Sequence, residues 1–262
     1  MVSLKTRWDR ISENYQRRSK IGTEDIHYGE FIHGERELQL LGDVKGKRVL
    51  EVGCGGGQNS IVLAKRGAVV SGIDISKNQI AYAKRLASKE GVRVDFRVGD
   101  MQNLSRFPDC TFDLVMTAFS LLYVKSLYKT FAEVHRVLRE GGTFVFSEGH
   151  PCAEGKLIQH EGKNVYAIRD YFRRRKIYWE DKLPGGTKVK MFSYHRPLQD
   201  YFEALLKNGF TIDRYLEPER LPKGKLLEKE RESINKSREA REDYVSFGLV
   251  PFVFIIKAVK QS

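Results

Sequence analysis

The run Arg48-Val-Leu-Glu-Val-Gly-Cys-Gly-Gly-Gly-Gln58, with Ile73-Asp74-Ile75 downstream, constrains this chain more than any other stretch. Arg48 to Val52 is apolar apart from its ends, the pattern of a strand covered on both faces. Gly53, Gly55, Gly56 and Gly57 then permit a sharp turn and a close approach of backbone to a ligand. A helix is predicted from about Gln58 to Lys65, packing through Ile61, Val62 and Ala64 and closed by Gly67. Ala68 to Ile73 reads as a second strand, with Asp74 at its end. In open α/β sheets that edge faces the ligand crevice, where strand order reverses. A carboxylate there can accept hydrogen bonds from both hydroxyls of a ribose. The arrangement is half of a nucleoside-binding α/β fold.

Dinucleotide sites share this layout, but their fingerprint is G-x-G-x-x-G with a pyrophosphate on the helix N-terminus. Here the register is Gly53-x-Gly55-x-Gly57, and Gln58 stands where the last dinucleotide glycine belongs. Glu51 lies just ahead of the loop, and a carboxylate so close suits a cationic ligand better than a pyrophosphate.

These residues resemble the class I S-adenosylmethionine-dependent methyltransferases, in the small-molecule group of the type 11 kind. Val49-Leu-Glu-Val-Gly-Cys-Gly-Gly-Gly57 has the family's E-x-G-x-G-x-G form. Asp74 matches its ribose-binding acid, Gly99-Asp100-Met101 the end of its third strand, Phe112-Asp-Leu-Val115 its fourth strand, and Val137-Leu-Arg-Glu-Gly-Gly142 the turn before its fifth. The likeness is strong over residues 46–149 and weaker in the flanks. It implies a Rossmann-like, mostly parallel seven-stranded sheet with helices on both faces, an antiparallel last strand and an inserted lid. It also implies S-adenosyl-L-methionine as cofactor and S-adenosyl-L-homocysteine as product. Gly53, Cys54 and Gly55 are then expected to present backbone to the amino-acid moiety, with Glu51 behind them. Asp74 is expected at the ribose, Ile75, Asp100 and Met101 at the adenine, and Ala118 and Phe119 at the methionine end.

The intervening patterns agree. Ser76 and Gln79 read as a capping box for a helix to Glu90, with Ile80, Ala83 and Ala87 inward. Leu127, Phe131, Val134 and Leu138 form the stripe of another helix, ended by Gly141. Arg93 to Val98, Phe112 to Thr117, Thr143 to Ser147, Phe210 to Leu216 and Pro251 to Val259 read as further strands. The expected organisation is an N-terminal helical segment closing over the cofactor (1–45), a cofactor-binding core (46–150), a hairpin lid and substrate region (151–196), and a C-terminal completion of the sheet (197–262).

In the N-terminal segment Tyr15 and Tyr28 are candidates to pack near the methionine end. His27-Tyr-Gly29, ahead of a helix at Glu35 to Leu41, is similar to a segment of small-molecule methyltransferases. In the inserted region Pro184-Gly185-Gly186 separates two strand-like runs, Lys176 to Glu180 and Thr187 to Phe192. Tyr123, Tyr171, Trp179, Tyr194 and Arg196 are the candidate substrate contacts, because aromatic walls with a few polar groups suit small organic ligands. His150 and His195 are the candidate general bases, since imidazole titrates near neutrality. A base is needed only where the acceptor must lose a proton.

The net charge of +12 raises the question of an anionic partner. Glutamate is abundant beside lysine and arginine, which also fits a heat-adapted surface laced with ion pairs, and Lys223 to Arg241 alternates in sign like a solvated helix. RNA methylation is therefore the second reading, and a binding module without transfer the third. No membrane-span pattern or secretory signal is present, and Cys54, Cys110 and Cys152 lack metal-ligand spacing. The expected location is the cytoplasm, with no membrane partner. The oligomeric state is left open.

Overall fold

The structure, a computed structural model, describes residues 2–261, apart from the side chains of 238 and 239. Helix α1 (Leu4–Ser19) opens the chain and the single turn α2 (Glu35–Leu38) follows. The core then alternates β1 (Arg48–Val52), α3 (Gln58–Lys65), β2 (Val69–Asp74), α4 (Lys77–Lys89), β3 (Asp95–Val98), β4 (Phe112–Ala118), α5 (Leu127–Val137) and β5 (Leu138–Gly149). Two hairpins are inserted next, β6 (Lys156–His160) with β7 (Lys163–Ala167), and β8 (Arg175–Lys182) with β9 (Lys188–His195). The chain returns through α6 (Leu198–Lys207) and β10 (Phe210–Leu216), crosses α7 (Glu228–Lys236) and α8 (Arg238–Ser246), and ends on β11 (Val253–Lys260).

Seven strands form one sheet in the order β10-β11-β5-β4-β1-β2-β3. β2, β1, β4 and β5 pair in parallel, as does β3 with β2, while β11 runs antiparallel to both β5 and β10. Strand order therefore reverses between β1 and β4, which opens the crevice at their carboxyl ends. Alternate residues of each strand serve opposite faces. Leu50, Val52, Val115, Phe144 and Phe146 bury against α5 and α6, while Val49, Leu114, Met116 and Val145 bury against α3 and the segment carrying Leu40 and Leu41.

Five expectations need correction. Ser76 caps α4 through the Gln79 amide, but the Gln79 side chain does not return to Ser76; it accepts from Gln16 Nε2 at 2.8 Å. The helix expected to reach Gly141 stops at Val137, and Leu138 already pairs with Phe112; Gly141, at a φ of 68°, lies in the irregular opening of β5. The helix expected at Glu35 to Leu41 is one turn, because the Glu35 carboxylate accepts the amides of Leu40 and Leu41 and pulls the chain out of register. The inserted region holds two hairpins, not one, and the segment after Pro222 holds two helices, since Ser237 ends α7 and caps α8. Among the described residues, no helix is long and apolar enough to cross a membrane.

Candidate functional site

The carboxyl ends of β1, β2, β4 and β5 converge on the glycine loop. Gly53, Gly55 and Gly57 all take positive φ (66°, 51° and 77°). A Cβ at Gly53 would lie 2.5 Å from the Ser120 side chain and 2.7 Å from Met101 Cε, so the bare backbone is what keeps this corner open. Glu51, on β1 behind the loop, is buried and receives the Ser60 hydroxyl. Burial pushes its carboxyl up to about 7, against the Ser60 and Asn59 hydrogen bonds, which favour the ionised form. Asp74 ends β2. Its two oxygens accept the Gly55 amide at 2.9 Å and the Ser76 amide at 2.8 Å. Burial raises it to about 6 even so. Each oxygen keeps a lone pair for a further donor. Ile75 is half-buried beside it. Asp100 and Met101 follow β3, where the exposed Asp100 carboxylate accepts the Gln102 amide at 2.9 Å. The Cys54 side chain is buried with Ile61, Ile80, Ala83 and Phe96, so only its backbone is on the loop, and burial pushes the thiol well up.

Helix α1 lies directly on this loop. A Cβ at Gly56 would meet the Gln16 amide at 2.5 Å. Gln16 in turn accepts from Gln58 Nε2 at 2.6 Å and donates to Gln79, and all three side chains are buried. Asp9 accepts the Ser76 hydroxyl at 2.8 Å, and its carbonyl accepts from Asn78 Nδ2 at 2.7 Å. In the N-terminal segment α1 is held on the loop by polar side chains that sequence reading missed. The repeated spacing of Ser12 and Gln16 on one face was the available signal.

Beyond the loop stands an aromatic group. The Trp8 ring meets Tyr15 edge-on at 5.4 Å and Tyr123 at 5.1 Å, and Trp179 of β8 lies 6.4 Å from Tyr123. Tyr123 ends a short 3-10 turn, Leu121–Tyr123, after β4. That turn is pinned from below by Glu148 of β5, which is buried and accepts the Leu122 amide at 2.8 Å and the Gly149 amide at 3.1 Å. Burial lifts Glu148 to about 8, opposed by those amides and by the Arg196 charge. Sequence reading passed over this residue. The only trace was an acid at the end of a buried strand.

Several candidates lie elsewhere. Tyr28 is buried behind the sheet edge, its hydroxyl donating to Glu35 at 2.7 Å, so it anchors the N-terminal segment. Phe119 packs in the same cluster, and its neighbour Ser120 faces Gly53 instead; Ala118, half-buried, ends β4. His150 is buried, with Nδ1 accepting the Cys152 amide at 3.1 Å and Nε2 3.1 Å from Glu217. Burial pulls its value down, against Glu217. Nδ1 is thereby occupied, while Nε2 is buried against the Glu217 carboxylate without a hydrogen bond among the described residues. His195 is buried and shares Nε2 with the Tyr171 carbonyl at 2.8 Å, tying β9 to the loop that carries Tyr171. Tyr194 lies under Lys176 and Arg196. The Arg196 guanidinium donates to the Val124 and Lys125 carbonyls.

A loop that bares its backbone between the acids Glu51 and Asp74, at the reversal point of a seven-stranded sheet with an antiparallel β11, defines an S-adenosylmethionine-binding methyltransferase fold. Residues 50–146 match the family described as Methyltransferase domain. The chain is 32% identical over 182 residues to the uncharacterized methyltransferase YbaJ of Bacillus subtilis, covering 66% of this chain and 69% of that protein. It is 33% identical over 175 residues to a ubiquinone biosynthesis O-methyltransferase of Nitrosococcus oceani, covering 64% and 67%. Two further relatives are matched over less than half of their own length. A crystal structure from Listeria monocytogenes, of a protein assigned to the S-adenosylmethionine-dependent methyltransferases, superposes with a TM-score of 0.65 at 27% identity, over 86% of this chain and 95% of that one. The chain belongs to the S-adenosylmethionine-dependent methyltransferases. Glu51, Asp74 and the glycine corner at Gly53 fit that cofactor: a site for an ammonium, a site for two hydroxyls, and a surface that a side chain would obstruct.

Proposed function

We propose that this protein moves the methyl group of S-adenosylmethionine to a small organic acceptor held between α1, the Leu121–Tyr123 turn and the β8–β9 hairpin. The observation that carries the reading is the enclosure itself: four aromatic rings from three separate elements meet beside the glycine loop, under a helix docked on that loop. Such walls suit a small ligand. The N. oceani relative, named for O-methylation in ubiquinone biosynthesis, supports the same class of acceptor.

Gly53 and Gly55 present backbone to the amino-acid end of the cofactor, Glu51 faces its ammonium, Asp74 holds the ribose, and Ile75, Asp100 and Met101 serve the adenine. Ala118 and Ser120 line the methionine end. Bound there, the cofactor supplies an electrophilic methyl group on a sulfonium. The chain supplies position and dryness. Holding an acceptor in line with that methyl is worth on the order of 7–11 kcal/mol at best, and α1 with the hairpin keeps water out.

Part of the positive charge is paired at the surface. Arg18 meets Asp181, Arg66 meets Asp25, Arg136 meets both Asp109 and Glu133, and Arg174 meets Asp200. One observation favours the RNA reading: Lys176 and Lys190 lie over Phe192 and Tyr178 on the hairpin. Incubation with methyl-labelled S-adenosylmethionine and fractionated cell extract separates the readings. Label in the metabolite fraction, insensitive to salt, is the expected result. Label in RNA, falling steeply as salt rises, overturns it. Label in no fraction points to a binding module without transfer.

A further inference from the structure

The aromatic enclosure has a definite electrostatic character. Trp8 stands near-perpendicular to Tyr15 and Tyr123, at 86° and 87°, so their rings form a corner, and Trp179 flanks it. Among the described residues, neither the Tyr15 nor the Tyr123 hydroxyl has a hydrogen-bond partner. The Tyr123 phenol is held well above its usual range by burial, and then by the charges of Tyr15, Glu148 and Asp181. Two carboxyls thus flank one phenol. Asp181 of β8 is buried, neutralised by Arg18 at 3.2 Å, and accepts a hydrogen bond from Asn14 Nδ2 at 3.1 Å. Glu148 is different: it meets backbone amides and, among the described residues, no cation within ion-pair distance. The charged and titratable groups near it are Arg196, Tyr201 of α6 and Tyr123. Arg196 spends its guanidinium on the Val124 and Lys125 carbonyls and on Tyr201.

Resting on the reading of this enclosure as the acceptor site, we propose that the acceptor is a basic amine, bound as its ammonium ion in the box of Trp8, Tyr15, Tyr123 and Trp179, and that Glu148 takes its proton. Ring faces carry negative potential, which attracts ammonium groups and repels a carboxylate acceptor. The two free phenol oxygens can accept N–H donors. The proton balance is simple. The bound cation first displaces the Glu148 proton to solvent; one N–H bond of the ammonium then breaks and its proton goes to an oxygen of the ionised Glu148. The freed nitrogen pair forms the new N–C bond as the methyl carbon leaves sulfur, whose bonding pair stays on sulfur. The products are a methylated ammonium ion and S-adenosylhomocysteine.

The chain contains two tryptophans, Trp8 and Trp179, and both belong to the box. Intrinsic fluorescence therefore reports its occupancy without turnover. Titration of the intact protein with benzyltrimethylammonium chloride, against sodium hexanoate at matched ionic strength, is the test. The quaternary ion keeps its charge at every pH, so any pH dependence belongs to the protein. The expected result is a saturable change with the ammonium ion alone, weakened about tenfold or more in Tyr123→Ala and Trp179→Ala, where a cation–ring contact is lost. Affinity falls by up to about tenfold per unit as pH drops from 8 to 6 in the natural protein, because bound cation displaces the Glu148 proton, and not in Glu148→Gln. Trp179 is partly exposed on the hairpin, so its replacement leaves folding intact. Binding of hexanoate in place of the ammonium ion, binding of neither, or unchanged affinity in both aromatic variants overturns the proposal. Label found in an acid or alcohol fraction of the extract would sink the amine and leave small-molecule transfer standing; label in RNA would remove the reading beneath both.

Discussion

Glu148→Gln should make the protein more stable at alkaline pH. The Glu148 carboxyl moves from 4.5 to about 8 on folding, because burial disfavours its charge. The folded chain therefore keeps a proton there that the unfolded chain has released. Between those two values stability falls as pH rises, and it levels off above about 8. At pH 7 the unfolded carboxyl is some 2.5 units past its midpoint, and at about 1.4 kcal/mol per unit this costs roughly 3 kcal/mol. Glutamine is neutral at every pH and its carbonyl can still accept the Leu122 amide. Glu51 and Asp74 are also raised, to about 7 and about 6, but they occur in both proteins and cancel in the difference. The variant should nearly match the natural protein at pH 5 and exceed it by on the order of 3–4 kcal/mol at pH 7.5, which for a chain of this size is about 6–16 °C in Tm. Thermal unfolding followed by circular dichroism across pH 5–8.5 at constant ionic strength measures this. Parallel curves for the two proteins would refute the idea that Glu148 folds in its neutral form.

Asp74→Ala should weaken S-adenosylhomocysteine binding by roughly 1–3 kcal/mol through lost buried hydrogen bonds, and calorimetry showing equal affinity would contradict the ribose assignment. The natural protein should bind the same compound progressively more weakly below pH 6. Asp74 then protonates, and hydroxyl donors favour its carboxylate, so a flat profile between pH 5 and 7.5 counts against it. Gly57→Ala places a methyl 2.5 Å from Phe96 Cζ and 2.9 Å from Ala83 Cβ, at a φ of 77°. It should cost roughly 2–4 kcal/mol in urea unfolding, and a loss under 1 kcal/mol would show that the loop relaxes freely. Gln16→Leu leaves Gln58 and Gln79 without their buried partner. Hydrogen exchange in α1 should quicken while the β5 amides keep their protection, and uniform exchange would indicate that α1 is not a separable unit.

The core was legible because its strands are fully covered and its turns are built from glycine. β1, α3 and β10 fall at their expected limits, and the neighbouring strands lie within two residues of theirs, β5 apart. The β6–β7 hairpin escaped notice because most of its side chains face solvent, so no apolar alternation marks it. The acid at Asp74 could be placed because a strand end fixes it. The roles of His150 and His195 could not, since what decides them is a Cys152 amide, a Glu217 carboxylate and a Tyr171 carbonyl brought in by the fold. Glu148 carries the same lesson in reverse. Its neighbours along the chain are unremarkable, and its character comes from α6, β4 and the Tyr123 turn closing around it.

Ser76 ties together two tasks that could have been separate. Its amide braces the Asp74 carboxylate, and its hydroxyl receives α4 on one side and reaches Asp9 of α1 on the other. Whatever shifts the Asp74 carboxylate by a fraction of an ångström reaches the seat of the first helix through this one residue. With the cofactor placed as proposed, filling the crevice and seating α1 are linked steps, and a change that loosens either should be felt as a loss in both.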